Sequence, residues 1–340
     1  MIRGLTSPIW PIHYKPLPDE LLSSWLVRLA HGHGLKVQTF CNLIFGNNQQ
    51  VWNRDIDRLA PTWLLGQLSY RTGAAPEIVW NTTLRAYEGL LYGKFRMSGT
   101  LPWILALKMY HRKREGYGLQ FCPTCLAEDA IPYFRKRWRI AFNTLCLQHK
   151  SMLLDRCPKC SMAVAIHRVD MIRSQLTEIT PVCCCHECGY DFRQAPKISI
   201  SSYDHQALSL LLDANRMIHD DFREDQRWRL EHYEVMRQLC RVMTTRYKHV
   251  FLRKFVLEQL EAPDLPLTEG RISFEMRPIQ ERHHLVQLTS WLLVDLKPRI
   301  TAAWLSHAVR YSVLLKDFED APKWYLEIAR DLSNWRDRLL

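Results

Sequence analysis

Four pairs of residues with metal-ligand chemistry stand in order along the middle of the chain: Cys122 with Cys125, Cys146 with His149, Cys157 with Cys160, and Cys185 with Cys188. In each pair two residues separate the ligands. That spacing makes a tight knuckle whose backbone amides support the thiolates, and zinc takes four such ligands in a tetrahedron. Twenty residues separate Cys125 from Cys146, and twenty-four separate Cys160 from Cys185. Sequential pairing gives a first site of three cysteines and one histidine and a second of four cysteines. Interleaved pairing, first with third and second with fourth, is open to the same spacing. The sequential arrangement is preferred because its loops are shorter.

The last corner is crowded. TPVCCCHECGYDF, residues 180–192, holds Cys183, Cys184, Cys185 and Cys188. Gly189 follows the second ligand of the Cys185/Cys188 pair, where a glycine lets the chain turn sharply. Cys183 and Cys184 are then spare, with Cys183/His186 as a rival pair at the same spacing. A catalytic zinc keeps one position open, and here all four positions have protein candidates. The deaminase signature H-x-E followed by P-C-x-x-C is not met. Redox motifs do not come as four matched pairs. The expectation is two structural zinc ions, each supplying ~10–16 kcal/mol of apparent binding energy that is also folding energy.

The elements that position these pairs read as helical. Nine of the eleven cysteines lie between Cys122 and Cys188, which divides the chain into an N-terminal helical domain (1–115), a tandem zinc-finger or zinc-ribbon region (116–197) and a C-terminal helical bundle (198–340). The expected fold class is mainly α. In DELLSSWLVRLAHGHG the residues Leu22, Trp25, Leu26 and Leu29 mark one helix face. Asp19 is the candidate cap, Gly32 and Gly34 are the stops, and VQTFCNLIFG follows as a second helix. LAPTWLLGQLSYRTG and APEIVWNTTLRAYEG repeat the arrangement, with Gly73 at the turn and Pro76 in the first helical position. Residues 19–90 therefore read as two helix–turn–helix units, a device that places its second helix in a DNA major groove or simply builds a small helical domain. Neither second helix is basic: VQTFCNLIFG has no cation and the later one only Arg85. Beyond residue 198, SYDHQALSLLLDANRMI, WRLEHYEVMRQLCRVM, HHLVQLTSWLLVDL, WLSHAVRYSVLL and KWYLEIARDLSNW have helical spacing. Pro298 and Pro322 suit first turns.

Composition bounds the partners. The 340 residues are 47% hydrophobic and 24% charged, ordinary for a folded chain. The 12 tryptophans can seed several cores. A formal charge of +11 points to an anionic partner such as nucleic acid. It falls to about +8 once seven ligand thiolates and two Zn²⁺ are counted. Two basic stretches could meet phosphate: LKMYHRKREG, with Lys108, Arg112, Lys113 and Arg114, and YFRKRWR at 133–139, with Trp138 able to stack on a base. The favoured reading of the second packs Trp138 against a knuckle and leaves the arginines outside. The N-terminus has prolines, a His and a Lys where a signal peptide needs an apolar run. No run approaches the ~18 apolar residues of a membrane span. A cytoplasmic protein is expected, whose cysteines serve metal rather than disulfides.

The run C-P-x-C-L-x-E-D (Cys122 to Asp129), then YFRKRW (Tyr133 to Trp138), C-x-x-H (Cys146 to His149) and L-x-x-C-P-x-C (Leu154 to Cys160) resembles the TniQ family, which includes TnsD-type target selectors. PLPDELLSSWLVRLAHGHGL is similar to that family's opening helix–turn–helix. The resemblance covers about residues 8 to 190. It implies a target-selection factor of a heteromeric transposition system, not a transposase and not an enzyme: an adaptor between target recognition and an AAA+ regulator that recruits the transposase. Shorter members ride on a CRISPR effector, a Cascade complex whose guide RNA supplies specificity, as a head-to-tail homodimer. TnsD-type members bind a fixed DNA site directly. The modest length and uncharged second helices favour the RNA-guided adaptor, with sequence-specific DNA binding as the alternative. No nucleophile–base arrangement or carboxylate metal motif points to a nuclease or recombinase.

Overall fold

The computed structural model describes residues 8–46, 51–107, 109–110, 113–114, 116–171, 179–218, 228–245, 250–318 and 320–332. Among them the chain is mainly helical, with thirteen α-helices and four two-residue strands. It divides into two compact units. One draws on residues 1–88, 95–99 and 104–199, the other on 89–94, 100–103 and 200–340.

The first unit is organised around helix α1 (Leu22–Gly32), which buries Leu22, Trp25, Leu26 and Leu29 as the spacing requires, and also Ser23, Ser24, Val27 and Ala30. A helix buried on nearly every side needs partners for its polar residues. Ser23 donates from N and Oγ to Asp57 at 2.7 and 2.9 Å. Ser24 Oγ donates to Glu20 and accepts from Phe134 N at 2.9 Å. Asp19 does not cap α1, whose N-cap Leu21 makes no side-chain bond. Asp19 sits at φ +56° and turns its carbonyl to Lys136 N at 2.7 Å.

Around α1 lie α2 (Val37–Phe45), α3 (Ile56–Leu59), α4 (Thr62–Thr72) and α5 (Pro76–Asn81). Gly73 ends α4 in the left-handed conformation, and Pro76 opens α5 at its first position. Both follow from what a sharp helix–helix corner demands. Strands β1 (Met109–Tyr110) and β2 (Lys113–Arg114) pair antiparallel. Lys108 and Arg112 of the LKMYHRKREG stretch lie outside the described residues. Helix α6 (Pro123–Glu128) and the hairpin of β3 (Leu145–Cys146) with β4 (Ser151–Met152) complete the unit.

Three of the four cations of the basic-aromatic run 133–139 are inside, not outside, and Arg137 is half-buried. Arg135, Lys136 and Arg139 are 6%, 1% and 0% exposed, and Trp138 is 1% exposed. Lys136 Nζ donates to Asn81 O at the end of α5, 2.7 Å away, and stands over the Tyr87 ring. The Arg139 guanidinium reaches Asp55 Oδ2 at 2.6 Å, Asp57 Oδ2 at 3.1 Å and Leu105 O at 2.9 Å. Arg135 forks onto Asp129 at 2.7 and 3.1 Å and covers the Tyr133 and Trp138 rings. A planar guanidinium tolerates burial where a carboxylate matches its fork, and Arg135 and Arg139 each have such a socket, while Lys136 is held by a backbone carbonyl and an aromatic face. Trp138 packs edge-on against Phe134 and is not available to stack on a base.

The second unit is built on α7 (His205–Arg216), α8 (Leu230–Met243), α9 (Leu252–Leu260), α10 (Ile279–Val294), α11 (Leu296–Leu305), α12 (Tyr311–Leu314) and α13 (Lys323–Asp331). Helix α10 is central and packs on α7, α8 and α9. Trp103 is held against α8: the indole donates to Tyr233 O at 3.0 Å and meets Phe274 edge-on. WLSHAVRYSVLL is not one helix. Its chain leaves the helix at His307, φ +58°, where Ala308 N bonds Ala303 O, and α12 starts at Tyr311.

Arg139 carries a prediction. Burial pushes Asp57 up to about 6, against the pull of Arg139. Its proton is thus bound more tightly in the folded chain, so that contribution is full below the ordinary aspartate range and lost as pH rises through 6. Replacing Arg139 by Met leaves two carboxylates without their cation and should cost about 3–5 kcal/mol in urea unfolding at pH 8. The cost should shrink below pH 6, where Asp57 takes up a proton. A cost under about 1 kcal/mol, or one independent of pH, contradicts this account.

Candidate metal centres

The first cluster is assembled from a helix start and a hairpin turn. Cys122 is the N-cap of α6, its Sγ accepting from Cys125 N at 3.5 Å, and Pro123 fills the first helical position. Cys146 closes β3 and His149 lies in the turn to β4. His149 Nδ1 points at all three sulfurs, 3.4 Å from Cys122, 3.3 Å from Cys125 and 3.4 Å from Cys146. Cys125 and Cys146 sulfurs are 3.5 Å apart.

The second cluster joins two knuckles of the same design. In one, Cys157 exchanges backbone bonds with Ser161 and Met162, each 2.9 Å. In the other, Cys185 N bonds Tyr190 O and Gly189 N bonds Cys185 O. Cys157 and Cys188 sulfurs are 3.6 Å apart, as are those of Cys160 and Cys185. Glu187 N donates to Cys185 Sγ at 3.5 Å.

Three knuckles share a turn that the sequence signals at only one of them. The residue after the second ligand is left-handed in each: Lys150 at φ +47°, Ser161 at +59° and Gly189 at +70°. Glycine adopts that conformation without strain, and the lysine and serine take it up directly after the second residue of their pair.

The geometry groups Cys122, Cys125, Cys146 and His149 together and Cys157, Cys160, Cys185 and Cys188 together, the ligand atoms of each set lying within 4.8 Å of one another. The pairs therefore meet in sequential order. Cys183 and His186 belong to neither group. Cys183 is fully buried, and its carbonyl accepts from Phe192 N at 2.8 Å.

The donor sets suit zinc. Four ligands at Zn–S distances of ~2.3 Å define a tetrahedron with edges of roughly 3.8 Å, close to the 3.5–3.6 Å sulfur separations here. A disulfide needs ~2.05 Å, and all eleven cysteines are free thiols. Without a cation the thiols oppose one another. Contacts with Cys125 and Cys146 push Cys122 down, and the contact with Cys122 pushes Cys125 up. Burial raises Cys185. A divalent ion would let every thiol of a set ionise. The Arg135 guanidinium adds a favourable charge beside Cys125.

Residues 11–153 of the chain match the TniQ family. The chain carries a TniQ-family domain. No curated protein matches the chain. The matched span encloses α1 to α6 and the whole first cluster and ends before Cys157, so the second cluster lies beyond the TniQ match. No helix among the described residues is long and apolar enough to cross a membrane.

Sequence reasoning missed Glu128 and Asp129, which follow Cys125 in the E-D of its motif. Glu128 meets His149 Nε2 at 2.8 Å, and Asp129 holds Arg135. Their only signal was acidic residues one helical turn from a ligand.

The grouping makes the last corner testable. Metal analysis of purified protein should find two zinc ions per chain in wild type and in Cys183→Ser, and one in Cys185→Ser. Loss of an ion from Cys183→Ser with retention in Cys185→Ser would reverse the ligand assignment.

Proposed function

We propose that this chain is a non-enzymatic target-selection adaptor. It links a guide-RNA-bearing Cascade effector on target DNA to the AAA+ regulator and transposase of a transposition system. The TniQ match over residues 11–153 supports the transposition role. In this reading the two clusters hold structural zinc ions, the chain performs no chemical step, and it works in the cytoplasm as a homodimer. The pairs α1–α2 and α4–α5 serve as helix–turn–helix units that contact protein.

The observation that carries the adaptor over the direct DNA reader is where the cations stand. The exposed residues of α2 include Gln38, Thr39, Asn42 and Leu43, and those of α5 are Pro76, Glu77, Ile78 and Asn81. Neither surface offers a cation to phosphate or to guanine, the commonest specific contact. The most basic run in the matched span spends Arg135, Lys136 and Arg139 on internal sockets. A chain that delegates sequence reading to guide RNA needs no basic recognition helix.

Co-expression with a Cascade complex, its guide RNA and the AAA+ regulator tests this. The chain should co-purify with the effector, and alone it should bind all duplexes alike with a steep loss in salt. Failure to associate, together with a selective shift of one particular duplex against random competitor, would establish the TnsD-type selector instead.

A further inference from the structure

His149 is the one histidine of the two clusters, and it is held from both sides. Nδ1 faces three sulfurs at 3.3–3.4 Å, and Nε2 lies 2.8 Å from Glu128 Oε2. Its side chain is 9% exposed, whereas that of Glu128 is 58% exposed. A neutral imidazole that gives one nitrogen to a metal must carry its hydrogen on the other. In a nearly buried ring that N–H needs an acceptor.

We propose that Glu128 is a positioning residue of the first metal site: it accepts the Nε2 hydrogen of His149, fixes the tautomer and presents Nδ1 to the ion. The inference rests on the zinc reading of the first cluster. Glu128 is well placed for the task. It is the last residue of α6, whose first turn carries Cys125 and whose N-cap is Cys122. One short helix thereby delivers two thiolates from its start and the histidine's anchor from its end. The β3–β4 turn need supply only the ring and Cys146. The second cluster has no histidine and so no counterpart of this clamp.

A carboxylate–histidine pair whose carboxylate stands in solvent contributes little to folding. Its effect should appear in the metal instead, since removing such an outer partner typically weakens a site 10–100-fold. This separates a positioning role from a merely structural one.

The test uses the full chain loaded with zinc, wild type, Glu128→Ala and Glu128→Gln. Zinc transfer to a coloured chelator is followed, with nitrogen-15 spectra of the histidine ring and the visible spectrum of the cobalt-substituted protein. Wild type should release two ions. In Glu128→Ala one ion should be held about 10–100-fold more weakly and the other unchanged. The cobalt bands of the three-sulfur, one-nitrogen site should shift. Glu128→Gln, which keeps an acceptor oxygen, should recover most of the affinity. Wild-type affinity for both ions in Glu128→Ala, with His149 still bound through Nδ1, overturns the proposal. Fewer than two zinc ions in wild type would defeat the metal reading itself, a distinguishable failure.

Discussion

Thiols crowded to within 4.8 Å of one another cannot all ionise unless something positive stands among them, and the first unit is arranged around that constraint. Each cluster draws its two halves from segments more than twenty residues apart in the sequence. An ion joining them closes a loop and ties a helix start to a hairpin, or one knuckle to another. Metal binding of this kind is folding energy, because the unfolded chain has no preformed site.

From the first cluster the constraint passes inward through neighbouring charges. Asp129, just past the helix that bears Cys125, holds Arg135, and the segment that follows places Lys136 at the end of α5 and Arg139 between Asp55 and Asp57. Leu21 N bonds Phe134 O, so the same segment is stitched to the start of α1. The described Cys/His region and helices α1–α5 thus share one compact unit. Positive charge that looked free for nucleic acid works as internal glue, which leaves the helical surfaces for protein contacts in the proposed adaptor.

Much of this was legible in the sequence, and the reason is local. Pair spacing is set within a single turn of chain, so the Cys/His pairs could be read directly, and their sequential grouping was the arrangement with the shorter loops. Gly73 and Pro76 announced their corner because each residue type has one strong backbone preference. The misreadings were of another kind. Asp19 had the right chemistry for a cap, but its carboxylate is engaged by Arg137 from across the chain. The arginines of 133–139 are charged and were placed outside, but burial of charge is decided by distant acceptors, here Asp55, Asp57 and Asp129, which no local pattern announces. Lys150 and Ser161 take a left-handed turn that their residue types do not announce.

X-ray absorption at the zinc edge of the purified chain tests the central claim most directly. Seven sulfurs and one nitrogen shared between two ions should appear as a shell dominated by sulfur at ~2.3 Å with a minor nitrogen contribution near ~2.0 Å. A shell dominated by oxygen, or a chain without zinc whose cysteines are paired as disulfides, would contradict it.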